Sequence, residues 1–451
     1  MSGSPDWRVF VASSFATALI GGSLTLAMRG KPGESLSLRS AFMLTGFAWI
    51  AFPAVAALPF LGLDISYADA FFEATSGVTT TGSTILTGLD NLPPGLLLWR
   101  AMLQWIGGVG IIVLAIVLLP FLRVAGSQLF RTESSDTSDK VEARSFVLVG
   151  RILQIYLLLT VLCTIAYASL GMSVFDAACH AMTTISTGGY STHDASFGHY
   201  DSAALQWAGT VFMISGALPF YVYVKAVRGD FRSLLTDSQI RVLLTFLAVI
   251  SIIMAVWLRH QSDIGWWQAL TLTTFNITSI VTTTGFASTD YTLWGPGAVG
   301  LFMFLMFVGG CSGSTSGAIK IYRYQILLQI VRTHVKHLAS PNRILSTTFN
   351  GKRLSDEVPF SILAFLAVFF ATILLFTLAL TFMGLDLVTA YSGSVTAITN
   401  VGPGLGPIIG PAGNFATLPD GAKWILSAAM ILGRLELFTL LVMLDRDFWG
   451  I

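Results

Sequence analysis

Charge is what this 451-residue chain has least of. Only 11% of its residues are Asp, Glu, Lys or Arg, whereas about a quarter are in soluble domains; 54% are hydrophobic, and mean hydropathy is +0.74. Such a balance excludes a soluble globular protein and leaves a polytopic membrane protein. Cysteine is also scarce: Cys163, Cys179 and Cys311 lie in apolar or loop sequence without paired spacing, which implies neither a disulfide framework nor a zinc site. The six histidines are scattered, mainly in loops and at helix ends. No Ser/His pair and no His/Glu/Asp cluster on facing helices is legible, so no enzymatic activity is expected. The glycine cluster near residue 309 lacks both a preceding strand and the Gly-x-x-x-x-Gly-Lys spacing of a phosphate loop.

The near-neutral total of 25 Lys plus Arg against 24 Asp plus Glu hides an asymmetry. Cations gather in alternate loops: Arg29, Lys31 and Arg39; Arg123, Arg131, Lys140 and Arg144; Lys225, Arg228, Arg232 and Arg241; then Lys320, Arg323, Arg332, Lys336, Arg343, Lys352 and Arg353. The loops between them carry isolated cations such as Arg100, Arg259 and Lys423. By the positive-inside rule the four groups face the cytoplasm.

One short design recurs. Thr79-Thr80-Thr81-Gly82-Ser83-Thr84, Ser186-Thr187-Gly188-Gly189-Tyr190, Thr282-Thr283-Thr284-Gly285-Phe286 and Thr399-Asn400-Val401-Gly402-Pro403 each follow a half-apolar segment too short to span a bilayer. Ala70, Ala177, Thr273 and Ala390 hold one register, twelve residues before Gly82, Gly189, Gly285 and Gly402. Helix packing seams would account for one such run, but not for four at matched positions. These loops contain no charged residue. Their glycines let backbone carbonyls aim at an axis and replace a cation's water shell, so the loops read as an ion filter. The residues expected to bind the ion are Thr80, Thr81, Gly82, Thr187, Gly188, Gly189, Thr283, Thr284, Gly285, Asn400, Val401 and Gly402. Each short helix points its C-terminal dipole end at that axis, which favours a cation without any charged side chain.

The expected fold is therefore all-α and polytopic: four membrane-pore-membrane repeats in fourfold pseudosymmetry plus one extra N-terminal transmembrane helix. An apolar span at 8–28 and its basic linker fill 1–39; a cleaved leader is disfavoured by the span's length and by acidic Asp6. Unit one (40–145) has spans at 40–62 and 96–122 around a short helix at 67–78. Unit two (146–238) has spans at 146–170 and 203–225 around 173–185. Unit three (239–357) has a span at 240–258, a short helix at 264–280 and a broken exit span. Unit four (358–451) has spans at 358–382 and 422–444 around 386–398.

Four sets of residues together resemble the TrkH family, within the wider Trk/Ktr/HKT group. They are Phe71-Phe72-Glu73-Ala74-Thr75-Ser76-Gly77, Gln104-Trp105-Ile106-Gly107-Gly108, Asn400-Val401-Gly402-Pro403-Gly404-Leu405-Gly406 and Gly433-Arg434-Leu435-Glu436. The resemblance runs from about residue 40 to the end. It implies potassium as the bound and transported ion, a homodimer in the bacterial inner membrane, no cofactor in this chain, and a TrkA-type cytoplasmic subunit that carries the nucleotide. One departure is visible: the family's pattern has two spans ahead of unit one, and here there is one.

Residues 309–317 interrupt the third exit span with Gly309, Gly310, Gly313 and Gly317 among Ser312, Ser314, Thr315 and Ser316. A packing kink is the plain alternative. The functional reading, which the resemblance strengthens, is a gating loop beneath the filter, with the hydroxyls of Ser312, Ser314 and Thr315 facing a water-filled cavity. Lys320 marks its inner end, as a gate-positioning or a snorkelling cation. Arg434, a charge inside the last span, is either an ion-pair partner of Glu436 or a latch and barrier at the gate, the role the resemblance implies. Asp69, Glu73, Asp176 and His180 read as caps or packing partners. The basic stretch 320–353, with Arg323, Arg332, His334, Lys336, His337 and Arg343, is a docking face or ordinary topogenic charge. The rival function on the same frame is a K⁺/H⁺ or K⁺/Na⁺ symporter.

Overall fold

The computed structural model describes residues 6–28, 38–118, 140–342, 348–350, 352–355 and 357–449, and these are mostly helical. Arg29, Lys31, Arg123, Arg131 and Arg343 lie outside the described residues, as does most of the 123–145 loop. Six described helices are long and apolar enough to cross a bilayer: Trp7–Ala27, Phe42–Leu63, Pro94–Leu114, Val147–Ser169, Ser238–Gln261 and Glu357–Phe382. Trp7–Ala27 buries none of its residues and meets the body through Phe10, whose ring lies 6.0 Å from that of Trp99. Leu244, Val249, Ile252 and Ile253 similarly leave one side of Ser238–Gln261 exposed and apolar, as a lipid-facing surface requires.

Four shorter helices fill the middle: Tyr67–Val78, Val174–Ile185, Trp266–Val281 and Leu387–Thr399. At 1.5 Å per residue they are roughly 18–24 Å long, too short for a hydrocarbon core of about 30 Å. Ser66, Ser173 and Asp386 cap three of them by accepting from the backbone N–H three residues on; Gly265 heads the other without a side-chain cap. Ala70, Ala177, Thr273 and Ala390 are fully buried. A small residue is needed there because each helix is wrapped by longer ones; Thr273 fits by turning its hydroxyl back onto the Ala269 carbonyl at 2.8 Å.

Two expected spans differ. The span expected at 203–225 is Ala203–Ala217 followed by Phe220–Val227, bent by 93°. Leu218-Pro219 is the cause, since proline has no N–H and forces the preceding residue into extended backbone. The span expected at 422–444 stops after Asp420–Arg434, and Glu436 and Leu437 then take φ of 56° and 55°. Arg434 thus ends a helix instead of lying within one.

Candidate functional site

All four short helices end alike. At Thr80, Thr187, Thr283 and Asn400 the chain turns left-handed, with φ of 53°, 52°, 58° and 55°. Their N–H groups donate to Gly77, Thr184, Ile280 and Ala397 at 3.0, 3.0, 3.0 and 3.4 Å. The next N–H groups, of Thr81, Gly188, Thr284 and Val401, donate five residues back to Ser76, Thr183, Ser279 and Thr396 at 2.9, 2.8, 2.8 and 3.1 Å. These paired bonds are the Schellman closure, normally made with glycine or asparagine at the left-handed position. Three of the four residues are threonine, a β-branched side chain for which that conformation stores of order 1–3 kcal/mol. Strain repeated at equivalent buried positions marks a backbone held for a purpose.

The glycines two residues on, Gly82, Gly189, Gly285 and Gly402, have φ of 88°, 78°, 85° and 108°. A Cβ on Gly82 would press on the carbonyl oxygen of Gly188; on Gly189, that of Thr284; on Gly285, that of Val401; and on Gly402, that of Thr81. The contacts run from the first loop to the second, third and fourth and back to the first. Inside this closed order the carbonyl oxygens of Thr80, Thr187, Thr283 and Asn400 accept no hydrogen bond among the described residues, although each residue is no more than 1% exposed. Buried carbonyls are nearly always paired, so four equivalent unpaired ones call for a partner. On one side the four glycines line a cavity of about 80 Å³ together with Arg100, Tyr190 and His193.

Side chains hold the loops in place. Glu73, fully buried, accepts from Arg100 Nε at 2.8 Å and from Thr84 Oγ1 and the Ile85 N–H at 3.0 Å. Arg100 donates onward to the Ser191 carbonyl at 2.8 Å and lies 4.1 Å over the Tyr190 ring, tying the first loop to the second. Gln104 Nε2 donates to the Gly188 carbonyl at 2.6 Å while its Oε1 accepts from the Tyr190 N–H at 2.9 Å. The Gly188 oxygen is therefore turned toward Gln104. Asn400 Nδ2 donates to Thr81 Oγ1 at 2.9 Å and so joins the fourth loop to the first. Of the expected caps and packing partners, Asp69 pairs with Lys423 at 2.5 Å, and His180 bonds to Ser191 Oγ at 2.9 Å. Arg100, read from the sequence as a loop cation, is 1% exposed and within Pro94–Leu118. A lone Arg and Gln in so apolar a helix was the signal, because neither is tolerated at membrane depth without a partner.

Residues 306–320 contain no helix. Val308 and Ile319 form a parallel bridge, so the chain heads in one direction before and after the excursion. The excursion docks on the bend at Leu218-Pro219: Cys311 N–H donates to Ala217 O at 2.9 Å, Thr315 N–H to Gly216 O at 3.3 Å, and Phe220 N–H to Gly313 O at 2.9 Å. Two broken helices thereby satisfy each other's backbone, the condition for irregular chain at membrane depth. Beneath the glycine loops, Gly317 N–H donates to Thr283 Oγ1 at 2.7 Å and Ala318 N–H to Thr399 O at 2.9 Å. Gly309, Gly310 and Gly317 lie where a Cβ would collide with Gly317 O, Ser316 Oγ and Thr399 O respectively.

The Ser314 and Thr315 hydroxyls, expected to face a cavity, turn inward instead. Ser314 donates to Cys311 O of its own segment at 2.6 Å, and Thr315 to Gly216 O and Ile185 O at 3.0 and 3.1 Å, because carbonyls freed at the ends of the neighbouring helices need donors. Lys320 is buried and donates to Ser316 O, so it does not snorkel. Arg434 Nη1 donates to Thr315 O at 2.9 Å, while the ion pair of Glu436 is made by Arg323 at 2.5 Å. Arg323 is thus buried and unavailable as a docking cation. Lys320, Arg323, Arg434 and Glu436 share a cavity of about 40 Å³ with Asn400 and Gly317.

Known proteins are similar to this chain over nearly its whole length. The sequence model of the TrkH family, described as a cation transport protein, matches residues 7–447. The Trk system potassium uptake protein TrkI of Halomonas elongata is 45% identical over 448 residues, covering 99% of this chain and 91% of that protein. The TrkH of Escherichia coli K12 is 35% identical over 452 residues, covering 98% and 92%. The crystal structure of the potassium transporter TrkH from Vibrio parahaemolyticus superposes with a TM-score of 0.90 at 32% identity, covering 99% of this chain and 93% of that one. The chain belongs to the TrkH family of cation transport proteins, multi-pass proteins of the inner membrane.

Proposed function

We propose that this chain takes up potassium through a channel-like pore whose selectivity filter is the set of four glycine loops. Its frame is four membrane-pore-membrane units in fourfold pseudosymmetry, preceded by the helix Trp7–Ala27. The observation that carries the reading is the closed order of the loops around four buried, unpaired carbonyls, at Thr80, Thr187, Thr283 and Asn400. Four short helices end at those residues, so their negative dipole ends converge on a site with no charged side chain. Potassium is the ion named for the relatives.

The 309–317 segment serves as the gate. It passes under the second, third and fourth loops, through Thr315 and Ile185, Gly317 and Thr283, and Ala318 and Thr399. Arg434 holds it there, and with Lys320 and Arg323 it faces a cation in the lower cavity with three positive charges against one carboxylate, Glu436. A TrkA-type nucleotide-binding subunit on the basic face is the regulator, and two copies of the chain form the transporter. On that face Arg332 and Lys336 are exposed, and Arg332 shares a cleft of about 830 Å³ with Lys225 and Arg241.

The test is ion flux in proteoliposomes with K⁺, Rb⁺ and Na⁺. A current that reverses at the potassium equilibrium potential supports a channel. A reversal potential that follows the proton or sodium gradient overturns it in favour of a symporter.

A further inference from the structure

We propose that Asp90, His193 and His199 form a binding site for a divalent transition-metal ion of the zinc class on the rim above the glycine loops. These residues are separate in the sequence, and the fold brings one ligand atom from each within 4.8 Å of the others. His193 Nδ1 hydrogen-bonds to Asp90 Oδ1, and His199 Nδ1 stands 3.9 Å from the same oxygen. The two imidazoles stack with centroids 3.6 Å apart and planes within 3°, so a small rotation of one ring brings both Nδ1 lone pairs onto one ion beside Asp90. The hydrogen bond from His193 also holds the Asp90 carboxyl below the usual carboxylate range, in its ligating form.

The surroundings are built. Asp90 and His199 lie on the short 3-10 turns Leu89–Asn91 and Ser196–His199. The turn of Asp90 is clasped to the chain next to His193: Leu89 N–H donates to Asp194 Oδ1 at 3.1 Å, and Asp194 N–H to Asp90 Oδ2 at 3.3 Å. Behind His193, Asp176 Oδ1 lies 3.7 Å from Nε2, and Asp176 itself accepts from Ser173 Oγ at 2.6 Å and Thr192 Oγ1 at 2.7 Å. A carboxylate on the far nitrogen of a ligating histidine is the usual outer support of a metal site. When a metal takes Nδ1, the ring proton moves to Nε2, where Asp176 accepts it, and the ion replaces that proton against Asp90.

Two imidazole nitrogens and one carboxylate oxygen leave open positions for water. That set suits zinc, with copper(II) and nickel(II) as competitors, and does not suit calcium or magnesium, which prefer all-oxygen shells. His193 also lines the cavity into which the four glycines open, so a bound divalent ion adds positive charge where an entering cation must pass. The metal site itself stands whether or not the loops below conduct.

The experiment uses the full chain, without a polyhistidine tag, in lipid nanodiscs stripped with EDTA. Zinc chloride titrated by calorimetry is expected to bind once per chain at micromolar concentration. His199→Ala, at an exposed position that folding tolerates, and Asp176→Asn are each expected to weaken binding by about 10-fold or more. Cobalt(II) should give the visible absorption of a four-coordinate ion in the parent and lose it in His199→Ala. No saturable zinc, or equal affinity in the parent and both variants, overturns the site. In proteoliposomes zinc on the rim side should slow K⁺ uptake by the parent but not by His199→Ala; zinc bound with uptake unchanged overturns the effect on entry.

Discussion

Gly285→Ala is the sharpest test of the proposed filter. Gly285 has φ of 85°, and its missing Cβ would lie against the Val401 carbonyl oxygen, so alanine brings two penalties. The left-handed conformation alone costs about 1–2 kcal/mol for a residue with a Cβ. The collision adds to this and is relieved only if the Val401 oxygen and its loop move. Since the contact of the third loop with the fourth runs through that oxygen, about 1–2 kcal/mol becomes available to distort the ring, equivalent to a factor of about 5–30. The K⁺ over Na⁺ preference in proteoliposome flux is expected to fall by that factor, with expression retained. Gly384→Ala is the control. It has φ of 91° with open space around the missing Cβ, so it carries the backbone penalty without touching the loops. It should lower thermal stability comparably and leave ion preference unchanged. Unaltered ion preference in well-folded Ala variants of Gly82, Gly189, Gly285 and Gly402 would refute the filter assignment.

Three further outcomes follow. Arg434→Ala removes the bond to Thr315 O and is expected to raise basal K⁺ flux without any partner; flux at or below the parent's makes 309–317 a packing kink. Glu73→Gln leaves the buried Arg100 guanidinium without its carboxylate and is expected to destabilise by about 3–5 kcal/mol, read as a lower melting temperature in detergent; an unchanged melting temperature overturns the clamp between the first and second loops. Charge reversal of Arg332 and Lys336 should reduce co-purification of a nucleotide-binding partner while leaving the chain folded, whereas Arg323→Ala should act on stability through Glu436 and Phe365; full partner retention at moderate salt moves the docking face elsewhere.

Much of the helical plan was legible because bilayer physics writes itself into composition. A span must be apolar for about 20 residues, a short helix must stop, and small buried positions such as Ala70, Ala177 and Ala390 keep a register that counting finds. The glycines of the four loops were visible for a similar reason: positive φ selects glycine locally. The left-handed threonines were not, because propensity argues against threonine there and only the surrounding structure holds Thr80, Thr187 and Thr283 in place. The bend at Leu218-Pro219 was announced by its proline, but an apolar run on both sides concealed it.

By itself the sequence determined that the chain is a multi-pass membrane protein, where its short helices lie, and which glycines turn left-handed, because burial in lipid and backbone sterics act residue by residue. Tertiary structure alone decided who meets whom. It gave Glu436 to Arg323 and the Thr315 carbonyl to Arg434, hid Arg100 against Glu73, turned Thr315 inward onto a neighbouring break, and drew Asp90, His193 and His199 together. The physical reason is that a buried charge or unpaired backbone group takes whichever partner the packing brings within reach. Along this chain those partners stand from 27 residues apart, for Glu73 and Arg100, to 119, for Thr315 and Arg434, at separations that carry no local signal.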